Sequence, residues 1–351
     1  MTTIRFRILV AAAFLVCTLP AAAQDSSPSL GDPLYVPGEY KIFTSDGQPA
    51  SMDDIATAME NVQVVFVGET HDDPTGHMME LKILEQAFDV ASPTRGVALS
   101  MEFFQADVQH IVNEYLADMI SENAFLADAR PWPRYKTDYR PSVEFAKEKQ
   151  FPVIAANAPR RYTNRVSRMG RESLDALDER AKSFLPPLPY GEPSTAYRDQ
   201  WVQTMMSVME QETMKCGKPI EVEPVATSDD SNKDAAAAHT PPAGNHGNMG
   251  NILHSQALWD ASMAYRISEH LATSPNSLVV HMVGSFHVAH GTGTPEHLEA
   301  YRPGTESIII MMRAVSDVNS FEAAPSGVWG DFVIQTDESK TLESIECARA
   351  D

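Results

Sequence analysis

The sequence is poor in cysteine and in basic residues, and it lacks several well-known motifs. Three cysteines occur in 351 residues, and 27 Lys and Arg stand against 48 Asp and Glu, giving a net charge of −21. Such an acidic chain opposes binding to nucleic acids and to anionic membranes, so we expect no nucleic-acid partner. No phosphate-binding loop or Gly-x-Gly-x-x-Gly motif is present, and Ser285 lies outside a Gly-x-Ser-x-Gly elbow, which argues against a serine hydrolase.

The N-terminal residues are predicted to direct export and not to belong to the fold. Two arginines precede an apolar run from Ile8 to Leu19, and Ala21-Ala22-Ala23 provides a small-residue cleavage site, so residues 1–23 are predicted to be a signal peptide. The apolar run is too short to span a bilayer. A lipid anchor on Cys17 is the alternative, but Val16 before it is larger than the small residue expected there.

Apolar strands alternate with amphipathic helices between residues 40 and 335. This order predicts a single α/β domain, with a mainly parallel sheet, helices on both faces and a helical cap formed by residues 105–215. A Pro-broken loop is predicted at residues 131–139. The predicted strands are residues 40–43, 62–67, 96–102, 152–156, 278–283 and 307–312, with an edge strand at 328–335.

Three further stretches are predicted to lie outside the packed domain. Residues 24–39 form a flexible arm, and residues 336–351 form a C-terminal tail. Residues 217–243 are rich in Pro, Ala and Asp and are predicted to be a mobile surface insertion. Cys216 and Cys347 remain after signal cleavage, and they could form a disulfide in an oxidising compartment.

Two Gly-x-x-His turns provide the main functional signal. Gly68 ends the strand at 62–67 and is followed by His71, and Gly284 ends the strand at 278–283 and is followed by His287. After His71, two aspartates and a proline are typical of a helix start. In an open parallel sheet, the turns after the strands are where ligands bind and chemistry takes place.

Polar side chains follow four of the predicted strands, and parallel strands would bring them to one edge of the sheet. These residues are Glu69, His71, Glu102, Asn157, Arg160 and His287. Glu69, His71, Glu102 and His287 could together bind a divalent metal. They could equally act without metal, with a carboxylate-tuned histidine as general base. The structural alternatives are that Glu69 caps a helix and that Glu102 forms a buried pair with Arg160.

An ordered series of motifs resembles the ChaN-like haem-binding uptake family. The resemblance covers roughly residues 40–315, and this family looks related to the Tiki/TraB proteins and to erythromycin esterases. The matching segments are Val64–Asp72 (VVFVGETHD), Met101–Phe103 (MEF), Pro152–Arg160 (PVIAANAPR), Gln256–Ala264 (QALWDASMA) and Val283–Gly291 (VGSFHVAHG).

The resemblance implies a periplasmic or outer-membrane protein that binds haem for iron uptake, as a homodimer and with the outer-membrane uptake machinery as a partner. Family haem iron is held by a tyrosine, and Tyr190, Tyr197 and Tyr265 are the candidates here, with Arg160 as a further haem contact. The long 217–243 insertion and the poor lipid-attachment site depart from the family pattern.

The related Tiki and esterase groups imply a second hypothesis of a different class. Under it the chain is a metal-dependent or His/Glu hydrolase that cleaves a peptide or ester bond. Glu69 or Glu102 would act as base, and His71 and His287 would be metal ligands or proton carriers. A third hypothesis keeps this polar site as a relic inside a binding protein.

Overall fold

The computed structural model describes residues 38–343, apart from residues 93, 212–213, 216–217 and 220–248. Among the helices that it describes, none is long and apolar enough to cross a membrane. Several predictions fall outside the described residues: the signal peptide, Cys17, the arm up to residue 37, most of the 217–243 insertion, the tail from residue 344, and the pairing of Cys216 with Cys347.

Within the described residues, an eight-stranded sheet forms the centre of the fold, beside a separate two-stranded hairpin. The strands are β1 (Tyr40–Thr44), β2 (Pro49–Ala50), β3 (Val64–Glu69), β4 (Val97–Gln105), β5 (Val153–Asn157), β6 (Met214–Lys215), β7 (Lys218–Pro219), β8 (Leu278–Gly284), β9 (Ser307–Val315) and β10 (Phe332–Asp337). The order in the large sheet is β2-β1-β10-β9-β3-β8-β4-β5, and β6 pairs with β7 in the hairpin. The six strands from β10 to β5 run parallel, while β1 and β2 are antiparallel additions at one edge.

Helices cover both faces of the sheet, as the sequence predicts. The α-helices are α1 (Met52–Met59), α2 (Pro74–Ala91), α3 (Gln109–Leu116), α4 (Glu122–Asp128), α5 (Tyr135–Asp138), α6 (Arg140–Lys149), α7 (Arg160–Met169), α8 (Glu179–Lys182), α9 (Thr195–Gln211), α10 (Met249–Thr273) and α11 (Thr294–Tyr301). Short 3₁₀ turns occur at Ala106–Val108, Arg171–Ala176, Ser285–His287, Ala289–Gly291 and Glu338–Lys340.

Strand β3 shows why the central strands read as continuous apolar runs. Val65 and Val67 pack on one face with α1, α2 and the α3–α6 group, whereas Val64 and Phe66 pack on the other face with α7 and α10. All six residues of β3 are buried because helices cover both of its faces. The mainly parallel α/β fold with a helical cap is therefore confirmed. The cap helices before β5 in the chain pack on one face of the sheet, and α7, which follows β5, packs on the other.

Five predictions about strands and helices need correction. Residues 332–337 form β10, which lies between β1 and β9 and is not an edge strand. Strand β3 continues to Glu69, and β4 continues past Glu102 to Gln105 through a bulge, so both carboxylates belong to strands. The predicted 131–139 loop contains the one-turn helix α5, whose Tyr135 is buried among Phe104 and Phe125. The helical cap predicted from residue 105 has its first α-helix from Gln109, after a 3₁₀ turn.

A buried histidine in β8 predicts that the fold is sensitive to acid. His281 is 0% exposed, and its Nδ1 lies 2.9 Å from the Ser100 hydroxyl. Burial, assisted by the charge of His287, lowers the pKa of His281 from 6.5 to about 3. The unfolded chain binds a proton below pH 6.5 while the folded chain does not, so this group costs stability as the pH falls from 6.5 towards 3.

We expect this histidine to remove about 2 kcal/mol of stability between about pH 6.5 and pH 5. Urea unfolding of the wild type and of His281→Gln across this range measures the effect. The glutamine can still bond to Ser100 but does not titrate, so its stability should fall less steeply with acid. Parallel pH profiles for the two proteins would contradict this prediction.

Candidate functional site

The first Gly-x-x-His turn places Glu69 and His71 in direct contact at the end of β3. Glu69 is the last residue of the strand, its side chain is fully buried, and its Oε1 bonds to His71 Nδ1. The chain then turns into α2, where Asp73 is the N-cap and its Oδ1 accepts the Thr75 N–H at 2.9 Å. Glu69 therefore does not cap this helix, and it orients the imidazole of His71 instead.

A second layer of buried polar side chains surrounds Glu69. The Tyr139 hydroxyl donates to Glu69 Oε1 at 2.9 Å, and His77 Nδ1 lies 3.1 Å from Glu69 Oε2 and 3.2 Å from Glu80 Oε2. The other ring nitrogen of His77, Nε2, lies 3.2 Å from the backbone oxygen of His71. Glu69 is thus held between two imidazoles.

Electrostatics favour the charged forms of Glu69 and of its two imidazole neighbours. Burial alone would raise the pKa of Glu69, but the charges of His77 and His71 hold it well below its usual value. Burial alone would lower the pKa values of His71 and His77, but the charge of Glu69 outweighs it and both are raised. Burial, and then the charge of Glu69, raises the pKa of Glu80 well above its usual value.

The second Gly-x-x-His turn builds a matching pair from β4, β8 and α10. Glu102 Oε2 accepts the Gly284 N–H at 2.8 Å, and Glu102 Oε1 lies 3.8 Å from His287 Nε2. His287 Nδ1 lies 2.9 Å from Asp260 Oδ1, and all three side chains are 0% exposed. Burial would lower the pKa of His287, but the charges of Asp260 and Glu102 raise it. Both oxygens of Glu102 therefore contact the second turn.

The two imidazole–carboxylate pairs meet at Gly284. A Cβ atom added to this glycine would lie 2.9 Å from both Cε1 and Nε2 of His71 and 3.5 Å from Glu102 Oε2. Glycine is required here because any side chain would displace the His71 ring. The predicted residues Glu69, His71, Glu102 and His287 are thus gathered around one point, while the roles assigned to them stay predictions.

A cavity of about 410 Å³ opens beside this point. His71 and Glu69 lie at one end, aromatic and thioether side chains form much of the wall, and Arg134 contributes a cation. Both halves of the cap contribute, because Arg134 precedes α5 and Trp201 belongs to α9. The lining residues are Glu69, Thr70, His71, Asp72, Arg134, Trp201, Thr204, Met205, Gln256, Gly284, Ser285 and Phe286.

Sequence reasoning missed Asp260, the residue that organises the second pair. Its carboxylate is fully buried and accepts the Tyr197 hydroxyl at 2.5 Å and the Thr294 hydroxyl at 2.8 Å, in addition to contacting His287. The signal was visible, because Asp260 falls within the apolar stripe of α10. A carboxylate at such a position needs buried partners.

The remaining predicted residues lie elsewhere. Asn157 ends β5 and is buried, and the backbone N–H of Arg160 donates to Gln105 Oε1 at 2.9 Å. The Tyr190 hydroxyl donates to the His254 backbone oxygen at 2.8 Å, and the Tyr197 hydroxyl is committed to Asp260. Tyr265 is half-buried on α10 and lines a separate cavity of about 570 Å³.

Comparison with known proteins agrees with the observed fold. A family model described as "Haem-binding uptake, Tiki superfamily, ChaN" matches residues 55–298. The solved structure "Cofacial heme binding to ChaN of Campylobacter jejuni" is 14% identical, with a TM-score of 0.57, and the match covers 85% of this chain and 97% of that chain. At this identity the similarity supports the fold only. No curated protein sequence matches the chain.

Two other solved structures are more distant. The type III effector HopBA1 is 11% identical with a TM-score of 0.41, covering 81% of this chain and 92% of that chain. An erythromycin esterase in its open conformation is 10% identical with a TM-score of 0.41, covering 85% of this chain and 83% of that chain. The family model covers well over half of the sequence, and the chain therefore belongs to the ChaN family of haem-binding uptake proteins in the Tiki superfamily.

Proposed function

We propose that this protein binds haem in the cell envelope and serves iron uptake. Membership of the haem-binding uptake family supports this function, and so does the predicted N-terminal signal peptide. The observation that carries the proposal is the position of Tyr265. Of the three candidate tyrosines, it is the one whose side chain is partly exposed and lines a cavity. Tyr190 and Tyr197 are 3% and 1% exposed, and both hydroxyls are bonded inside the protein.

The cavity beside Tyr265 offers an apolar surface and one cation to a haem. The segment 185–188, Leu-Pro-Pro-Leu, lies on the apolar side, and Lys182 on α8 is the cation for a propionate, with its Nζ 3.4 Å from Glu179 Oε1. When bound, ferric haem supplies an iron that a hard tyrosinate oxygen suits. The full lining is Asp175, Glu179, Lys182, Ser183, Leu185, Pro186, Pro187, Leu188, Tyr265 and Glu269.

The Glu269 carboxylate can accept the proton of the Tyr265 hydroxyl when haem iron binds. Burial, together with the charge of Glu269 and a hydrogen bond to it, raises the pKa of Tyr265. Tyrosinate therefore does not form unless a cation replaces the proton, and Glu269, one helical turn along α10, is the acceptor next to that hydroxyl. Arg266 donates to Glu269 Oε2 at 2.6 Å and holds this carboxylate in place.

Two finer features of the proposal concern assembly and location. The Campylobacter ChaN structure is described as binding haem cofacially. If each of two chains binds one haem, face-to-face stacking of the two haems holds the chains together. A haem on the partly exposed Tyr265 face suits such a pairing, so we propose that the protein forms a haem-linked homodimer. We propose the periplasm or the outer membrane as its location, with the haem-uptake machinery of that membrane as its partner.

Titration of the purified protein with ferric haem, followed by visible absorbance, tests the proposal. We expect saturation with the spectrum of oxygen-ligated iron and a doubled mass in solution. Tyr265→Phe should lower the affinity by about tenfold or more, which corresponds to at least about 1.4 kcal/mol. The matched control is Tyr301→Phe, whose ring lies 5.5 Å from that of Tyr265. The proposal is wrong if the wild type binds haem only weakly and without saturation, or if Tyr265→Phe and Tyr301→Phe lose haem affinity equally.

The site at Gly284 favours a second function, hydrolysis of an ester or peptide bond. The specific observation is that the Glu69–His71 pair lines the cavity, next to Gly284. The fully buried Asp260–His287 pair belongs to the turn that follows Gly284. Glu69 fixes the ring of His71, which is the arrangement that a general base requires. His287, with its raised pKa, can supply a proton, while Glu102 lies between the two histidines.

The residues of this site also fit a metal in part, because imidazole and carboxylate groups are ligands for divalent ions. His71, His287 and Glu102 would hold such an ion, which would supply an activated water. The two functions separate cleanly by mutation, since Tyr265 and His71 line different cavities. His71→Ala should leave the haem titration unchanged, and Tyr265→Phe should leave hydrolysis unchanged.

A further inference from the structure

We propose that Glu69, His77 and Glu80 form a binding site for one divalent transition-metal ion, behind the cavity and separate from the haem site. Each residue offers one ligand atom, and these atoms all lie within 4.8 Å of one another. The three side chains are 0%, 4% and 1% exposed. The site differs from the four-residue metal set predicted from sequence, with which it shares only Glu69.

The spacing of the donor atoms suits a shared ion. Two ligands at about 2.1 Å from one metal stand about 3.0 Å apart in octahedral geometry and about 3.4 Å apart in tetrahedral geometry. His77 Nδ1 lies 3.1 Å from Glu69 Oε2 and 3.2 Å from Glu80 Oε2. Both separations fall between the two ideal values, so His77 Nδ1 already stands at a suitable distance from each carboxylate.

The surroundings of His77 fix the ring as a ligand needs it. Nε2 lies 3.2 Å from the His71 backbone oxygen and 3.5 Å from Asp138 Oδ2, so two acceptors draw a proton to this nitrogen. Nδ1 faces the two carboxylates. An ion bound there would replace the proton on Nδ1 and use its lone pair, while the Nε2 proton stays in place. Metal-ligating histidines commonly donate their second N–H to a carbonyl or carboxylate in this way. Asp138 is itself held by Arg134 Nε at 2.7 Å.

A buried carboxylate oxygen provides an independent indication of a cation site. Glu80 Oε1 has no hydrogen-bond partner among the described residues, although the side chain is 1% exposed. Glu69 Oε2 and Glu80 Oε2 both contact the same nitrogen, His77 Nδ1. Buried carboxylate oxygens without partners cost several kcal/mol in proteins generally. A cation bound between the two carboxylates satisfies them and neutralises their mutual repulsion.

Two carboxylates and one imidazole define the class of ion. This donor set suits Mn²⁺, Fe²⁺ and Zn²⁺. It suits Cu⁺ less, because Cu⁺ prefers sulfur ligands, and Ca²⁺ less, because Ca²⁺ prefers oxygen ligands alone. The bound ion would also affect the cavity, because Glu69 Oε1 bonds to His71 Nδ1, and His71 lines the cavity. The metal would thus hold Glu69, and through it the ring of His71, making His77 and Glu80 positioning residues for the cavity.

The test is a Co²⁺ titration of the chelator-treated full-length protein, followed through the visible bands of bound Co²⁺. We expect saturation at one ion per chain, displacement by Zn²⁺, and weaker binding of Mn²⁺. Glu80→Gln and His77→Gln should each weaken Co²⁺ binding by about 100-fold or more. His281→Gln is the matched control, because it changes a fully buried histidine outside the cluster. Circular dichroism establishes that each variant is folded.

Further measurements keep the proposal open to refutation. Tyr265→Phe should keep the metal, which separates this site from haem binding. His287→Asn should also bind the metal as the wild type does. If His287→Asn loses metal binding while Glu80→Gln retains it, the ion is bound by the four residues predicted from sequence and this proposal is wrong. Absence of saturable binding in the wild type overturns the proposal, as does a ¹⁵N spectrum in which His77 stays doubly protonated after Co²⁺ or Zn²⁺ is added. If Glu80→Gln fails to fold, Glu80→Asp decides, with weakened binding expected and unchanged binding contradicting the site.

Discussion

Replacing His71 with alanine is expected to lower hydrolysis of a susceptible ester or peptide by about 10²–10⁴-fold, the usual contribution of a general base. His71 is an imidazole that lines the cavity, and Glu69 holds its Nδ1. The measurement is kcat/KM for a chromogenic ester with wild type and His71→Ala. The control is His110→Ala, which changes an exposed histidine on α3 and should keep full activity.

The pH profile gives a second test of the same role. The pKa of His71 is raised above 6.5, because the charge of Glu69 outweighs burial. A general base must be deprotonated, so kcat/KM should rise with pH through this pKa and then level off. In Glu69→Gln the charge is lost and burial dominates, so the rising limb should move to lower pH. A limb that stays in place, or wild-type turnover in His71→Ala, would rule out His71 as the base.

The features predicted correctly from sequence are those encoded in one short segment. The Val64–Glu69 run is a strand because a buried parallel strand needs a continuous apolar run, which Val64 to Val67 provide. Parallel strands then bring the two Gly-x-x-His turns to one sheet edge, whatever the details of packing. This is why Glu69, His71, Glu102 and His287 meet around Gly284 as expected.

The missed features depend on contacts between distant parts of the chain. Tyr139 lies 70 residues from Glu69, in a Pro-broken stretch whose local pattern indicates only a loop. His77 and Glu80 sit on the buried side of α2, where helix periodicity predicts apolar residues, and their burial follows from the partners they find there. Local patterns show where polar groups are anomalous, but tertiary packing decides what those groups contact.

Asp260→Ala is expected to lower the free energy of unfolding by about 3–5 kcal/mol, the usual effect of breaking a buried ion pair. The substitution leaves the buried imidazole of His287 without its carboxylate, and it removes the acceptor of the Tyr197 and Thr294 hydroxyls. Urea unfolding measures the change. Asp89→Ala makes the same substitution at an exposed position of α2 and should change stability by no more than about 0.5 kcal/mol.

The pH dependence of this loss identifies its cause. The folded pKa of His287 is raised above 6.5 by the charges of Asp260 and Glu102, so the stability it contributes is complete below pH 6.5 and disappears as the pH rises through the folded pKa. The effect of Asp260→Ala should therefore be larger at about pH 6 than at about pH 9. A loss below about 1 kcal/mol, or one independent of pH, would mean that His287 is buried as a neutral ring. Asp260 would then serve mainly to orient that ring, and His287 would lose its proposed role as a proton donor.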